Sequence, residues 1–204
     1  MKRDPDRISL EKSKRDDQRS RILEVGAELL AERGIEAVNS NQIARAAGVG
    51  VGTFYAHFPD KLALRHALAA EAVERLGARV ERAVAAAGGE VELQVRALVE
   101  AVVAFAEEAP ARFRVAFGRE AVSGAPGRAA IGLSDRAALR RLQELRRGGR
   151  IDASIDPAVA ARAFTCMQNG VVCWWLEDPG RAPRDALVDT LARLHPAVAG
   201  RTSA

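Results

Sequence analysis

No stretch of the 204 residues alternates apolar and polar positions for long enough to form a half-buried strand, while apolar residues recur at helical spacing along most of the chain. Glycine and proline cut that pattern into pieces. A first helix runs from about Asp17, with Ile22, Val25, Leu29 and Leu30 on one face, and Gly34 stops it. Asn39 followed by Gln42 has the spacing of a capping box and starts a short helix over 40–47, which Gly48 ends. A second short helix covers 51–58, and Pro59 forbids its continuation. Asp60 opens a long helix to residue 86, broken by Gly88-Gly89, and further helices fit 91–108 and 110–117. Ser123-Gly124-Ala125-Pro126-Gly127 reads as a loop, followed by a helix over 129–147. Asp156-Pro157 supplies an N-cap and a first-turn proline for 157–176, and a last helix spans 184–194 before Pro196. The expected fold is all-α, with about nine helices.

Composition agrees. Hydrophobic residues reach 48%, enough for a sizeable core, and aromatics only 4%. No apolar run has the length of a membrane span, and the charged N-terminus lacks a signal-peptide core, so a cytoplasmic protein is expected. The net charge of +4 is compatible with a polyanionic partner. All the lysines (Lys2, Lys12, Lys14 and Lys61) lie in the first third. They read either as solvated residues or as an electrostatic arm for phosphates, with residues 1–16 as a flexible charged arm. Cys166 and Cys173 are too few and too close for a disulfide framework.

The block over 40–61, SNQIARAAGVGVGTFYAHFPDK, joins two short helices by a tight glycine-containing turn. That arrangement lets one helix enter a DNA major groove while the other braces it. Ile43, Ala44 and Ala47 make a small apolar face, Val49 plugs the turn, and Phe54 and Phe58 bury one side of the second helix. The other side presents Thr53, Tyr55 and His57, groups that can hydrogen-bond phosphate oxygens.

The run IARAAGVGVGTFYAHFPDKLAL resembles the DNA-binding domain of the tetracycline-repressor (TetR) family of transcriptional regulators. Ile43, Ala44, Ala47, Gly48, Val49, Gly52, Thr53, Tyr55, His57, Phe58 and Lys61 match its pattern in register. The resemblance implies a recognition helix near 51–57, phosphate contacts from Thr53, Tyr55, His57 and Lys61, and a helix-turn-helix domain over 17–65. It further implies a helical effector-binding and dimerisation domain over 66–204. Two positions depart from the pattern. Gly50 stands where the family usually has serine, which weakens the helix cap. Val51 replaces a polar or basic residue, so base reading falls to methyl–thymine contact, with Ser40, Asn41 or Thr53 adding hydrogen bonds.

The segment 157–176 is apolar almost all round and needs cover on several sides. Phe164, Val171, Trp174 and Trp175 are expected at a homodimer interface, with a central core helix as the other reading. Gln168 and Asn169 interrupt the apolar run and either bond neighbouring helices or orient a ligand. With Phe105, Phe113, Phe117 and Met167 they form the candidate pocket. Cys166 and Cys173, seven residues apart, read as core thiols or as a redox pair across an antiparallel helix.

The expected function is a repressor that binds a palindromic double-stranded DNA operator as a homodimer and is released by a lipophilic small-molecule effector. A ligand-independent DNA-binding regulator and a helical protein-binding module are the competing readings. An enzyme is not expected: His57, His66 and His195 are scattered, and neither a nucleophile motif nor metal-ligand spacing occurs. No cofactor and no metal are expected.

Overall fold

The computed structural model describes residues 5–118 and 125–199, and among these every regular element is a helix. The order is α1 (Pro5–Ala37), α2 (Ser40–Ala46), α3 (Val51–His57), α4 (Lys61–Ala86), α5 (Val91–Glu108) and α6 (Pro110–Phe117). It continues with α7 (Ala125–Arg147), α8 (Pro157–Glu177), α9 (Arg184–Arg193) and the single turn α10 (Pro196–Ala199). Nine of the ten match the expected helices; α10 lies beyond them, opened by the proline expected as a stop. Proline halts a helix that precedes it but suits the first turn of one that follows. The chain divides into two compact units between Leu68 and Ala69, within α4.

In the first unit, α1 corrects the sequence reading. The sequence predicts a flexible arm over 1–16, yet the helix extends back to Pro5. This segment has no apolar period, but Glu11, Lys12, Lys14, Arg15 and Asp16 place opposite charges three and four residues apart. Extending a helix already nucleated by its apolar half needs no further nucleus. Residues 1–4 lie outside the described part. The helical backbone is interrupted at Gly34 (φ 77°), as the glycine stop requires. Gly26 is needed for a different reason: a Cβ there would come within 2.6 Å of a Leu64 methyl, so α1 and α4 approach closely at this point.

At α2, the Asn39 side chain accepts from the Gln42 N–H at 2.9 Å, and the Gln42 side chain accepts from the Asn39 N–H at 2.9 Å. Asn39→Ala removes one half of this reciprocal cap and is expected to cost about 1 kcal/mol. Chemical denaturation should show it as a lower midpoint, with an unchanged midpoint counting against the cap.

In the second unit, α5 packs against α6, α8, α9 and α10, while α7 lies along α8. The core joins Val99, Val103, Phe113, Ala116, Val172, Val188 and Leu191. Asp156 caps α8 by accepting from the Ala158 and Val159 N–H groups at 2.9 and 3.0 Å. The Arg184 guanidinium ties α9 to α5 through Glu100 and Glu107 at 2.9 and 3.0 Å. The expected loop over 123–127 falls partly outside the described residues, and α7 already begins at Ala125. Pro126 in its first turn costs no hydrogen bond, so a Pro-Gly pair does not exclude helix there.

Helix α8 sorts the residues expected at an interface into two sets. Phe164 and Trp175 are 7% and 4% exposed and belong to the core of the subunit. The Trp175 indole N–H also donates to the Ala182 carbonyl at 2.9 Å. Val171 is half-buried against the core, whereas Trp174 is 46% exposed and Val159 68%. Neighbouring residues on a helix are about 100° apart, so adjacent tryptophans cannot share a face. The outward stripe is Val159, Ala163, Cys166, Gly170 and Trp174.

Candidate nucleic-acid interface and interior cavity

The turn between α2 and α3 is closed by backbone bonds. The Gly48 N–H donates to the Arg45 carbonyl at 3.1 Å, and the Val49 N–H donates to the Ala44 carbonyl at 3.0 Å. Gly48 has φ 65°, and a Cβ there would also meet the Arg21 guanidinium at 2.9 Å. Phe54 and Phe58 seat α3 from within, at 0% and 4% exposure, with ring centroids 6.0 Å apart. Gly50 caps α3 without a side-chain hydrogen bond.

With that side buried, α3 turns Val51 and Tyr55 outward, and Thr53 and His57 to its flanks, half-buried. The Tyr55 ring stands edge-on to Phe54 with centroids 5.5 Å apart, and the residue remains 51% exposed. Two polar hollows flank the helix. One gathers Asn39, Ser40, Asn41, Tyr55, Asp60 and Lys61. The other gathers Lys14, Arg15, Gln18, Thr53 and His57, with Glu11 and Gly52. The seven residues singled out for DNA binding therefore all sit on or beside this face, with Val51 exposed at the start of α3.

Lys61 is held differently from the expectation of a free phosphate clamp. Its ammonium donates to the Ile35 carbonyl at 2.6 Å, which spends one of its three protons on the end of α1. Two protons remain. His57 is held below the ordinary histidine pKa, first by burial and then by the charges of Arg15 and Arg19, against an opposing pull from Asp16. The ring is therefore neutral in the free protein near pH ~7.5. Arg19 also lies over the Phe58 ring, 5.6 Å from its centroid.

Arg15, Gln18 and Asn39 join this face without having been singled out by the sequence pattern. The signal is present all the same: residues 11, 14, 15 and 18 share one face of a helix, once the segment is read as helical.

The second unit contains a partly open cavity of about 130 Å³ lined from α4, α5, α6, α7 and α8, and by His195. Phe117, Gln168 and Asn169 stand on its wall. Phe105, Phe113 and Met167 do not; Phe113 is fully buried, with its ring centroid 4.9 Å from that of Phe117 and 6.4 Å from that of Phe105. Phe164, expected at an interface, lines the cavity instead and meets the His195 ring at 4.5 Å. Arg141 and His195 also line it, and the sequence pattern points to neither. Cys173 has its thiol pushed up to about 11 by burial, which keeps it protonated, while Cys166 is exposed. Among the described residues, no cluster of His, Cys, Asp and Glu could hold a metal, and no helix is long and apolar enough to cross a membrane.

A buried aromatic pair seating one short helix, a brace across a left-handed glycine turn and a separate helical unit with a cavity together define a helix-turn-helix protein of all-helical build. Residues 22–68 match the sequence profile of the bacterial regulatory proteins, tetR family. A helix-turn-helix-type transcriptional regulator of Staphylococcus aureus (strain USA300) is 44% identical over 45 residues, 22% of this chain and 24% of the relative. The match thus spans about a quarter of the length of that curated relative. Over nearly the whole fold the chain is similar to PfmR, a TetR family transcriptional regulator from Thermus thermophilus. That likeness has a TM-score of 0.67 and 26% identity, and covers 89% of this chain and 99% of PfmR. AibR, solved in complex with isovaleryl coenzyme A and operator DNA, shares the fold with a TM-score of 0.71 at 18% identity, over 88% of this chain and 98% of AibR. Residues 22–68 are thus of the tetR-family type, and over most of its length the chain is similar in fold to regulators of that family.

Proposed function

We propose that the protein is a transcriptional repressor that binds a palindromic operator as a homodimer and releases it when a small molecule occupies the cavity of the second unit. The observation that carries this reading is the outward face of α3, where Val51 and Tyr55 are exposed and Thr53 and His57 flank them half-buried, between two polar hollows. Phosphate contacts from Tyr55, His57, Lys61, Lys14 and Arg15 position the helix, and Val51, Thr53, Ser40 and Asn41 meet base edges. AibR, bound to both operator DNA and an acyl coenzyme A, supports coupling of the two functions in this fold. The exposed α8 stripe supports dimerisation, which sets two recognition helices one DNA turn apart. Release requires that the effector bind the released form better than the DNA-bound form; tight binding alone moves nothing. Helix α4 carries Lys61 at its start and Val73 and Leu76 of the cavity wall further along, a covalent link between the two functions.

Selection of bound fragments from random DNA, followed by footprinting, tests the reading. A two-fold symmetric protected site is expected, and the absence of any sequence preference sinks it.

A pH dependence follows from His57. A phosphate beside the ring favours the imidazolium, so its pKa rises on binding and the complex takes up protons. Operator affinity should therefore increase as pH falls from about 8 to about 6, by at most one proton per protomer, and His57→Asn should flatten the dependence. Fluorescence anisotropy at constant salt measures it; an affinity that falls with acidification rejects the phosphate contact.

A further inference from the structure

The cavity of the second unit joins an apolar wall to a fixed cation. We propose that it binds a small organic acid, a carboxylate held by the Arg141 guanidinium on an apolar body about the size of one aromatic ring. The inference rests on the effector reading above and adds the chemical class of the molecule.

Charge comes first. Among the described residues, no aspartate or glutamate lines the cavity, and the two carboxylates that act on Arg141, those of Glu81 and Glu144, do so through charge without a hydrogen bond. Burial holds its pKa below the ordinary value, helped by Arg140 and resisted by Glu81 and Glu144 at longer range. A guanidinium nevertheless stays protonated. A partly desolvated cation without a bonded carboxylate is costly, and an anionic guest entering beside it offsets that cost. Arginine also offers paired N–H groups matched to a carboxylate.

The polar neighbours favour the same guest. Gln168 is 6% exposed, and its side-chain oxygen is buried without a hydrogen-bond partner. Rotation about its last torsion presents either end of the amide to a guest. Burial, and then the charge of Arg141, lower the His195 pKa to about 4, so the ring is neutral at physiological pH. Its Nδ1 accepts from the Ala197 N–H at 3.1 Å, which leaves the proton on Nε2 as a donor. The cavity thus offers donors from Arg141, His195 and the Thr165 hydroxyl, and the charge that the described residues bring to its wall is positive. A cationic guest would meet repulsion.

Size sets the apolar part. A volume of about 130 Å³ is close to the ~150 Å³ of an apolar cavity that admits benzene. Val73, Leu76, Val80, Leu98, Val102 and Phe117 supply the wall that such a ring needs.

Calorimetry and thermal melting of the full chain with benzoate, benzyl alcohol and benzylamine test the proposal, since the three share a ring and differ in charge. Benzoate is expected to bind and raise the melting temperature, benzyl alcohol to bind about tenfold more weakly, and benzylamine to produce no shift. Arg141→Gln should remove the advantage of benzoate over benzyl alcohol, while Arg141→Lys should keep part of it. If Arg141→Gln fails to fold, the wild-type series decides alone. Equal or tighter binding of benzyl alcohol or benzylamine, or no benzoate binding at millimolar concentration, overturns the proposal. Operator titrations in the same samples separate it from the effector reading. Arginine-dependent benzoate binding that leaves DNA affinity unchanged sustains the ligand class and rejects the effector reading. Release of DNA by benzylamine and not by benzoate does the reverse.

Discussion

Trp174→Asp is expected to dissociate the proposed homodimer while leaving the subunit folded, and Trp175→Asp to unfold the subunit. The two residues are adjacent but occupy different environments. Trp174 is 46% exposed on the α8 stripe that also carries Val159 and Gly170, and a carboxylate there meets water in the monomer. In a dimer packed through this stripe the carboxylate would be desolvated with only the neighbouring Arg181 guanidinium, which lies 5.4 Å from the Trp174 ring centroid, to offset the cost, and the apolar contact of the ring would be lost, which favours separated subunits. A monomer grips only one half-site and loses the effective concentration supplied by the second, so operator affinity should fall by ~100-fold or more. Trp175 is 4% exposed, and its indole N–H is bonded to the Ala182 carbonyl. Its loss removes roughly 3–5 kcal/mol of packing before any cost of the buried charge. Light scattering and circular dichroism distinguish the outcomes. A Trp174→Asp protein that remains dimeric with wild-type affinity places the interface elsewhere.

The features legible in the sequence are those set by neighbours along the chain. The Asn39–Gln42 cap, the glycine stops at Gly34 and Gly48 and the Asp156-Pro157 start each depend on a few consecutive residues, and the structure shows all of them. The spacing of Phe54 and Phe58 marks the buried side of α3 and hence its outward side. The extension of α1 to Pro5 escapes a reading based on apolar periodicity, because this segment is charged almost throughout. Sidedness of α8 is illegible for the opposite reason: a helix apolar all round gives no contrast. Which of Phe164, Val171, Trp174 and Trp175 faces inward is decided by α5, α6 and α7, elements distant in sequence. The cavity belongs to the same category, since Arg141, Gln168 and His195 meet only through tertiary packing.

Lys61→Ala should weaken binding to every DNA sequence alike, whereas Val51→Ala should alter which sequence is preferred. A dimer carries two Lys61 ammonium groups, and each phosphate contact contributes about 0.9 to the slope of log affinity against log salt. Losing both should lower that slope by about 1.8, equivalent to roughly a 60-fold loss at about 0.1 M salt. The hydrogen bond to the Ile35 carbonyl complicates the test, because alanine also frees the end of α1. Lys61→Arg resolves this, since it restores the charge with a different fit to the carbonyl and should recover the slope. Thermal melting of both variants reports any change in the fold of the first unit. Val51 is 44% exposed and uncharged, so any contact it makes with DNA in the proposed complex runs through its methyl groups. Val51→Ala should leave the salt slope unchanged and relax the preference at one position in each half-site, symmetrically across the palindrome. If Val51→Ala leaves sequence preference intact while Lys61→Ala changes it, the two roles are assigned to the wrong residues.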